Sequence, residues 1–175
     1  MATVTQLRTF GPVLAKRWHR GPDGAPAETG YDKAASFSVV EHQVGSLADL
    51  ARVLDGLTRD PRSCIIRGRP GRSCDRSRTD RTNANFEDAA QAWSAHDFDS
   101  IECPPWLDWR AEPAAAAAYL RTLLPPEFHE AACWWSFTGS QGFKPGLRMR
   151  LAFFHDLPLT CADLKRSYKL VTNGI

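Results

Sequence analysis

The run Glu112-Pro113-Ala114-Ala115-Ala116-Ala117-Ala118-Tyr119-Leu120 commits the middle of the chain to a helix. Proline is tolerated in a first helical turn, and alanine is the best helix former. Pro125-Pro126 stops it. The helix is bracketed by stretches that read as strands: residues 92–99 before it and the aromatic run 131–137 after it. Strand, helical crossover and strand is the pattern of a layered α/β or α+β domain. A further strand over residues 147–155 returns across the loop 138–146 as a hairpin. The expected class is α+β, a mixed or antiparallel sheet with flanking helices.

Upstream, residues 35–44 alternate weakly and are rich in Phe and Val, which predicts a strand. Ser46 is a good N-cap, and Leu47, Leu50, Val53, Leu54 and Leu57 follow at helical spacing with Asp49 in the first turn. Ser63-Cys64-Ile65-Ile66-Arg67-Gly68 reads as a short buried strand and residues 83–90 as a weak helical turn. A capped helix is expected to begin at Thr160-Cys161-Ala162-Asp163. Residues 1–33 mix Gly, Pro and charge and read as an irregular N-terminal extension, with Leu14-Ala15-Lys16-Arg17-Trp18 as a short strand. Residues 34–175 are then one domain. At 43% hydrophobic residues, 175 residues suffice for a real core.

No apolar run approaches a membrane span, and the N-terminus lacks a basic-then-apolar signal pattern, so no membrane association is expected. The five cysteines are scattered, without a C-x-x-C pair, which argues against a zinc site or a disulfide framework and points to a reducing cytoplasm.

Three polar groupings stand out. In Asp97-Phe98-Asp99, strand alternation puts both carboxylates on one face, about 7 Å apart. Either a divalent cation sits between them, Mg²⁺ or Mn²⁺ by the hardness of the ligands, or both point into water at a strand end. Arg67, Arg69, Arg72, Arg76, Arg78 and Arg81 crowd a loop with no helical or strand period, the first five being the candidate nucleic-acid contacts. Such a loop would bind polyphosphate or a nucleic-acid backbone through forked hydrogen bonds, or is simply a solvated surface. The third is the hairpin: Ser140 and Lys144 in its loop, and Arg148 and Arg150 on one face of its returning strand, where they need acidic or phosphate partners or water. If the strands are neighbours, the carboxylates would hold a metal while Ser140, Lys144 and the arginines hold a triphosphate, the equipment of nucleotidyl transfer. There is neither a nucleophile-elbow G-x-S-x-G nor a P-loop. His42, His96 and His155 are isolated and read as structural.

With Leu14-Ala15-Lys16-Arg17, Cys64-Ile65-Ile66-Arg67-Gly68, Asp97-Phe98-Asp99 and Lys144-Pro145-Gly146-Leu147-Arg148-Met149-Arg150 in that order, the chain resembles the archaeo-eukaryotic primase superfamily, in particular the primase-type N-terminal domains of plasmid and phage replication proteins. The resemblance runs from about residue 10 to 168. It implies an RRM-like sheet within a primase-polymerase catalytic core, and a metal-dependent DNA primase or primase-polymerase nucleotidyltransferase. Asp97 and Asp99 would be the catalytic, metal-binding pair, with Mg²⁺ or Mn²⁺ as cofactor. Ser140, Lys144, Arg148 and Arg150 would bind nucleotide. The implied partners are a single-stranded DNA template, nucleoside triphosphates and a replicative helicase. Many members have histidine where this chain has Arg150, so a triphosphate contact there is inferred from charge. Members also carry a third acidic residue on a later strand, and Asp156 stands too close behind Arg150 to serve. The core is therefore expected to be incomplete at its C-terminal end, and nucleotide or single-stranded DNA binding is expected to outlast polymerisation. A non-catalytic nucleic-acid-binding remnant and a metal-dependent nuclease are the other readings.

Overall fold

The computed structural model describes residues 1–30 and 34–172. It is an α+β fold built on antiparallel sheets. The chain starts in strand β1 (Ala2–Thr9), whose Thr3, Val4, Thr5 and Leu7 are buried. This corrects the expectation of an irregular stretch over residues 1–33. β-Branched Thr and Val favour extended backbone, and the three threonines disguise as polar a strand that is buried on both faces. A hairpin follows, β2 (Arg17–Arg20) and β3 (Pro26–Thr29), turned at Gly24 with φ +76°.

Strand β4 (Phe37–Val44) pairs antiparallel with β1 along its whole length. Helix α1 (Leu47–Thr58) is capped as expected: Ser46 Oγ accepts from the Asp49 N–H at 3.1 Å. β5 (Ser63–Ile66) then pairs on the other side of β1, giving the order β4-β1-β5. The arginine-rich segment is pinned beside β4: Thr79 and Phe37 exchange backbone hydrogen bonds at 2.7 and 2.8 Å, and the Val39 N–H donates to Arg76 O at 2.9 Å. Two short strands close this region, β6 (Arg69–Pro70) and β7 (Phe86–Glu87), the latter where a helical turn was expected.

The second sheet is made of β8 (Gln91–Ile101), β9 (Cys133–Phe137) and β10 (Leu147–Leu159) in the order β8-β10-β9, all antiparallel. Between β8 and β9 run α2 (Pro113–Arg121) and a single 3-10 turn at Pro126–Phe128. Helix α3 (Cys161–Thr172) follows β10. One face of this sheet, with Phe98, Leu147, Met149, Leu151 and Phe153, packs on Ala116, Ala117 and Leu120 of α2. Alternation turns the next residues to the other face, where Trp93 and Ala152 meet Leu50 and Leu54 of α1 and Val4 of β1. That cluster locks the two sheets together. Among the described residues no helix is long and apolar enough to cross a membrane, and all five cysteines are free thiols.

Candidate functional site

The two groups of charges seen in the sequence meet on the α1-facing side of the second sheet. Strands β8 and β10 are neighbours, and Arg150 stands directly opposite Asp97 in register. The Arg150 guanidinium forks onto that carboxylate, Nε to Oδ1 at 2.5 Å and Nη2 to Oδ2 at 3.0 Å. One step along, the ladder is bulged: Met149 pairs with Phe98 but Leu147 with Ile101, so β8 carries an extra residue. Ser100 at φ +62° and Gly146 at φ +80° absorb it. A Cβ on Gly146 would lie 2.8 Å from Ile101 O, so only glycine fits where the strands touch.

The bulge gives the second acid its own arginine. Arg148 Nη1 donates to Asp99 Oδ1 at 2.9 Å, its Nη2 to Ser100 Oγ, and its Nε to Pro145 O at 3.3 Å. The Arg148 side chain is only 10% exposed, whereas Asp99 is 67% exposed; Arg150 and Asp97 are 43% and 55% exposed. Arg148 is thus a fixed post and Arg150 a half-exposed one.

A cleft of about 670 Å³ opens between the two sheets. Asp97, Arg150 and Ser136 line it from the second sheet, Thr138 and Gly139 from the hairpin loop, and Arg81, Arg67 and Ser63 from the opposite wall. Leu54, Leu57 and Trp134 make the cleft apolar on another side. Asp99, Arg148, Ser140 and Lys144 are not part of this lining. Ser140 Oγ lies 3.2 Å from Thr138 Oγ1. Lys144 Nζ sits 4.5 Å from the centre of the Trp18 ring, which also faces Phe143 at 6.1 Å. The β2–β3 hairpin therefore leans on the loop expected to bind nucleotide, and Lys144 is held against it. Sequence reasoning gave no role to Ser136, and it grouped Arg81 with the arginine loop rather than with the cleft wall. Trp18, a stacking aromatic in the remnant reading, is placed against Lys144 instead.

The arginine cluster is divided. Arg67, expected to bind nucleic acid, is a brace instead: Nε donates to Trp93 O at 3.0 Å, and Nη2 to Leu159 O at 2.6 Å and Gln91 O at 3.3 Å. Its fork is turned inward onto the carbonyls of two strands, with Nη1 3.5 Å from Cys161 Sγ, and four of its five N–H donors are engaged within the protein. Arg69 and Arg76 both approach Glu41, at 3.9 and 2.8 Å. Arg78 stacks over Phe10 at 5.8 Å. Arg72 and Arg81 are exposed and make no ion pair among the described residues.

His96 follows the alternation to the other side of the sheet. Its Nε2 lies 2.8 Å from Ser94 Oγ and its Nδ1 2.5 Å from the Tyr168 hydroxyl, while His155 Nε2 reaches the same Ser94 Oγ at 2.8 Å. Burial pushes the His96 pKa from 6.5 down to about 4, and that of His155 down as well.

Asp97 and Asp99 offer hard carboxylate oxygens on one exposed face, but no group of three His, Cys, Asp or Glu side chains converges on a point among the described residues. Two carboxylates fit a Mg²⁺ or Mn²⁺ ion that shares phosphate oxygens, and do not make a cage that holds an ion by protein ligands alone. Compared with known protein families, curated proteins and solved structures, the chain shows no match.

Proposed function

We propose that this chain is a primase-like, metal-dependent nucleotidyl-transfer domain that binds a nucleoside triphosphate against a single-stranded DNA template. The observation that carries the reading is the register of β8 and β10, which sets Asp97 beside Arg150 in the lining of a cleft, with Asp99 and Arg148 paired on the same sheet face outside that lining. The fold supports it. The run β8-α2-β9-β10-α3, with sheet order β8-β10-β9, follows the β-α-β-β-α path and the antiparallel strand order of an RRM-like sheet. Helix α2 and the Tyr168 side chain of α3 lie on one face of that sheet, and the opposite face carries the charges.

In this reading Asp97 and Asp99 hold Mg²⁺ or Mn²⁺. Bound there, such an ion would supply charge neutralisation at the phosphates and a Lewis acid toward the 3′-hydroxyl. Arg150 is placed to take charge that builds on the phosphoryl oxygens as the α–β bond breaks, while Arg148 holds Asp99 in position. The hydroxyls of Ser136 and Thr138 offer neutral donors along the same wall. Arg81 lines the same cleft and makes no ion pair among the described residues. Lys144, stacked on Trp18, fixes the loop that carries Thr138 and Gly139.

The test is synthesis of short oligonucleotides by the purified chain on a single-stranded template with labelled nucleotides and Mn²⁺. Wild-type product that is weak beside nucleotide binding, and abolished in Asp97→Asn with an unchanged melting curve, is the expected outcome. A second reading draws on the ion pairs themselves: with both acids already satisfied by arginine, the domain binds nucleotide or single-stranded DNA without catalysis. Metal-independent binding with no product selects that reading, and a chain that neither binds nor polymerises rejects both. A replicative helicase is the partner this reading adds, to be sought by co-purification.

A further inference from the structure

We infer that the Asp97–Arg150 pair is a placeholder that couples the cation to the triphosphate, so that each ligand binds weakly until the other arrives. The inference rests on the nucleotidyl-transfer reading and concerns how that site is loaded. Arg150 occupies both oxygens of Asp97, at 2.5 and 3.0 Å, in an in-register cross-strand pair. A divalent cation arriving alone must sit against a guanidinium or displace it, and either choice opposes like charges. A triphosphate arriving alone must draw the fork away and leave its own oxygens beside an unpaired carboxylate. When both are present, the carboxylate faces the cation and the fork faces the phosphate, so every charge keeps an opposite partner.

Arg148 does not exchange in this way. Its side chain is 10% exposed and tied to Pro145 O and Ser100 Oγ as well as Asp99. Arg150 is 43% exposed, and its fork is directed to Asp97. It is therefore the member that moves. A half-exposed pair of this kind weighs up to about fivefold in an equilibrium constant.

Two titrations test the coupling, each with one ligand only: Mn²⁺ without nucleotide, followed by the resonance of the free ion, and ATP in excess EDTA, followed calorimetrically. Arg150→Met is expected to tighten Mn²⁺ about three- to fivefold. Arg81→Met, which removes an equal charge from the cleft wall without freeing a carboxylate, is expected to change it less than twofold. Asp97→Asn is expected to tighten metal-free ATP by about three- to fivefold, and the Asp97→Asn/Arg150→Met double variant to lose that gain. The coupling is overturned if the single variants bind no tighter than wild type, if Arg81→Met matches Arg150→Met, or if the double variant keeps the gain. In those cases wild type still binds both ligands and the nucleotidyl-transfer reading survives. Absence of saturable binding of either ligand to wild type and every variant at millimolar concentration removes that reading and the coupling with it.

Discussion

His96 shows how one position on a strand decides between chemistry and structure. It adjoins Asp97 in sequence, yet alternation sends its ring into the aromatic core, 5.3 Å from both Phe128 and Phe153. One direction of protons satisfies its network without charge: Tyr168 O–H to His96 Nδ1, His96 Nε2–H to Ser94 Oγ, and Ser94 O–H to His155 Nε2. Burial holds the folded pKa at about 4, below the unfolded 6.5, so between those values the unfolded chain binds the extra proton. Stability from this group is complete above about pH 6.5 and drains away as pH falls to about 4. By pH 5 the loss is about 2 kcal/mol, and His155, shifted in the same direction, adds to it. The melting temperature should drop by about 4–8 °C between pH 7 and pH 5, and by clearly less in His96→Gln, which keeps a polar side chain but does not titrate. An equal drop in both proteins, followed by circular dichroism, would place the pH sensitivity elsewhere.

At the scale of elements, Arg67 is the side chain whose role the sequence hid most completely. It stands at the head of a run of arginines, and composition groups it with them. Only the fold reveals that β8 and β10 end beside it, offering Trp93 O, Gln91 O and Leu159 O to one guanidinium. Arg67→Lys keeps the charge but not the fork, leaving at least one of those carbonyls unserved. It should destabilise the protein by about 1–3 kcal/mol in urea melts and leave DNA affinity per folded molecule unchanged. Local rules, by contrast, were readable. The caps at Ser46 and Thr160 follow from a hydroxyl with an aspartate three residues on, and Thr160 Oγ1 indeed accepts from the Asp163 N–H at 3.1 Å while the Asp163 carboxylate accepts from the Thr160 N–H at 2.9 Å. The common face of Asp97 and Asp99 follows from strand periodicity, and the hairpin from the loop 138–146. What could not be read was pairing at long range: that β1 is a central strand, that Trp18 would reach Lys144, and that a bulge at Ser100 would give each acid its own arginine. Such contacts depend on register between segments far apart in sequence, which no local period encodes.

For the whole molecule, net charge is +2, so attraction to nucleic acid depends on where the cations are free. The five arginines singled out in the sequence predict a slope of about −3.5 for log affinity against log salt on single strands, if each meets one phosphate. The fold withdraws three of them: Arg67 into its brace, and Arg69 and Arg76 onto Glu41. Arg72 and Arg78 remain, joined by Arg81 at the cleft, and three contacts lower the expected slope to about −2. Glu41 is then the regulator of this surface, because it occupies two guanidinium groups with one carboxylate. Glu41→Gln releases Arg69 and Arg76 and should steepen the slope back toward about −3.5, with little change in melting temperature, since exposed ion pairs contribute at most about 1 kcal/mol. Fluorescence anisotropy of a labelled oligo(dT) between 50 and 200 mM salt measures both slopes. A wild-type slope already near −3.5 would mean that the DNA backbone outcompetes Glu41, and identical slopes in the two proteins would mean that the strand follows a path away from the arginine segment.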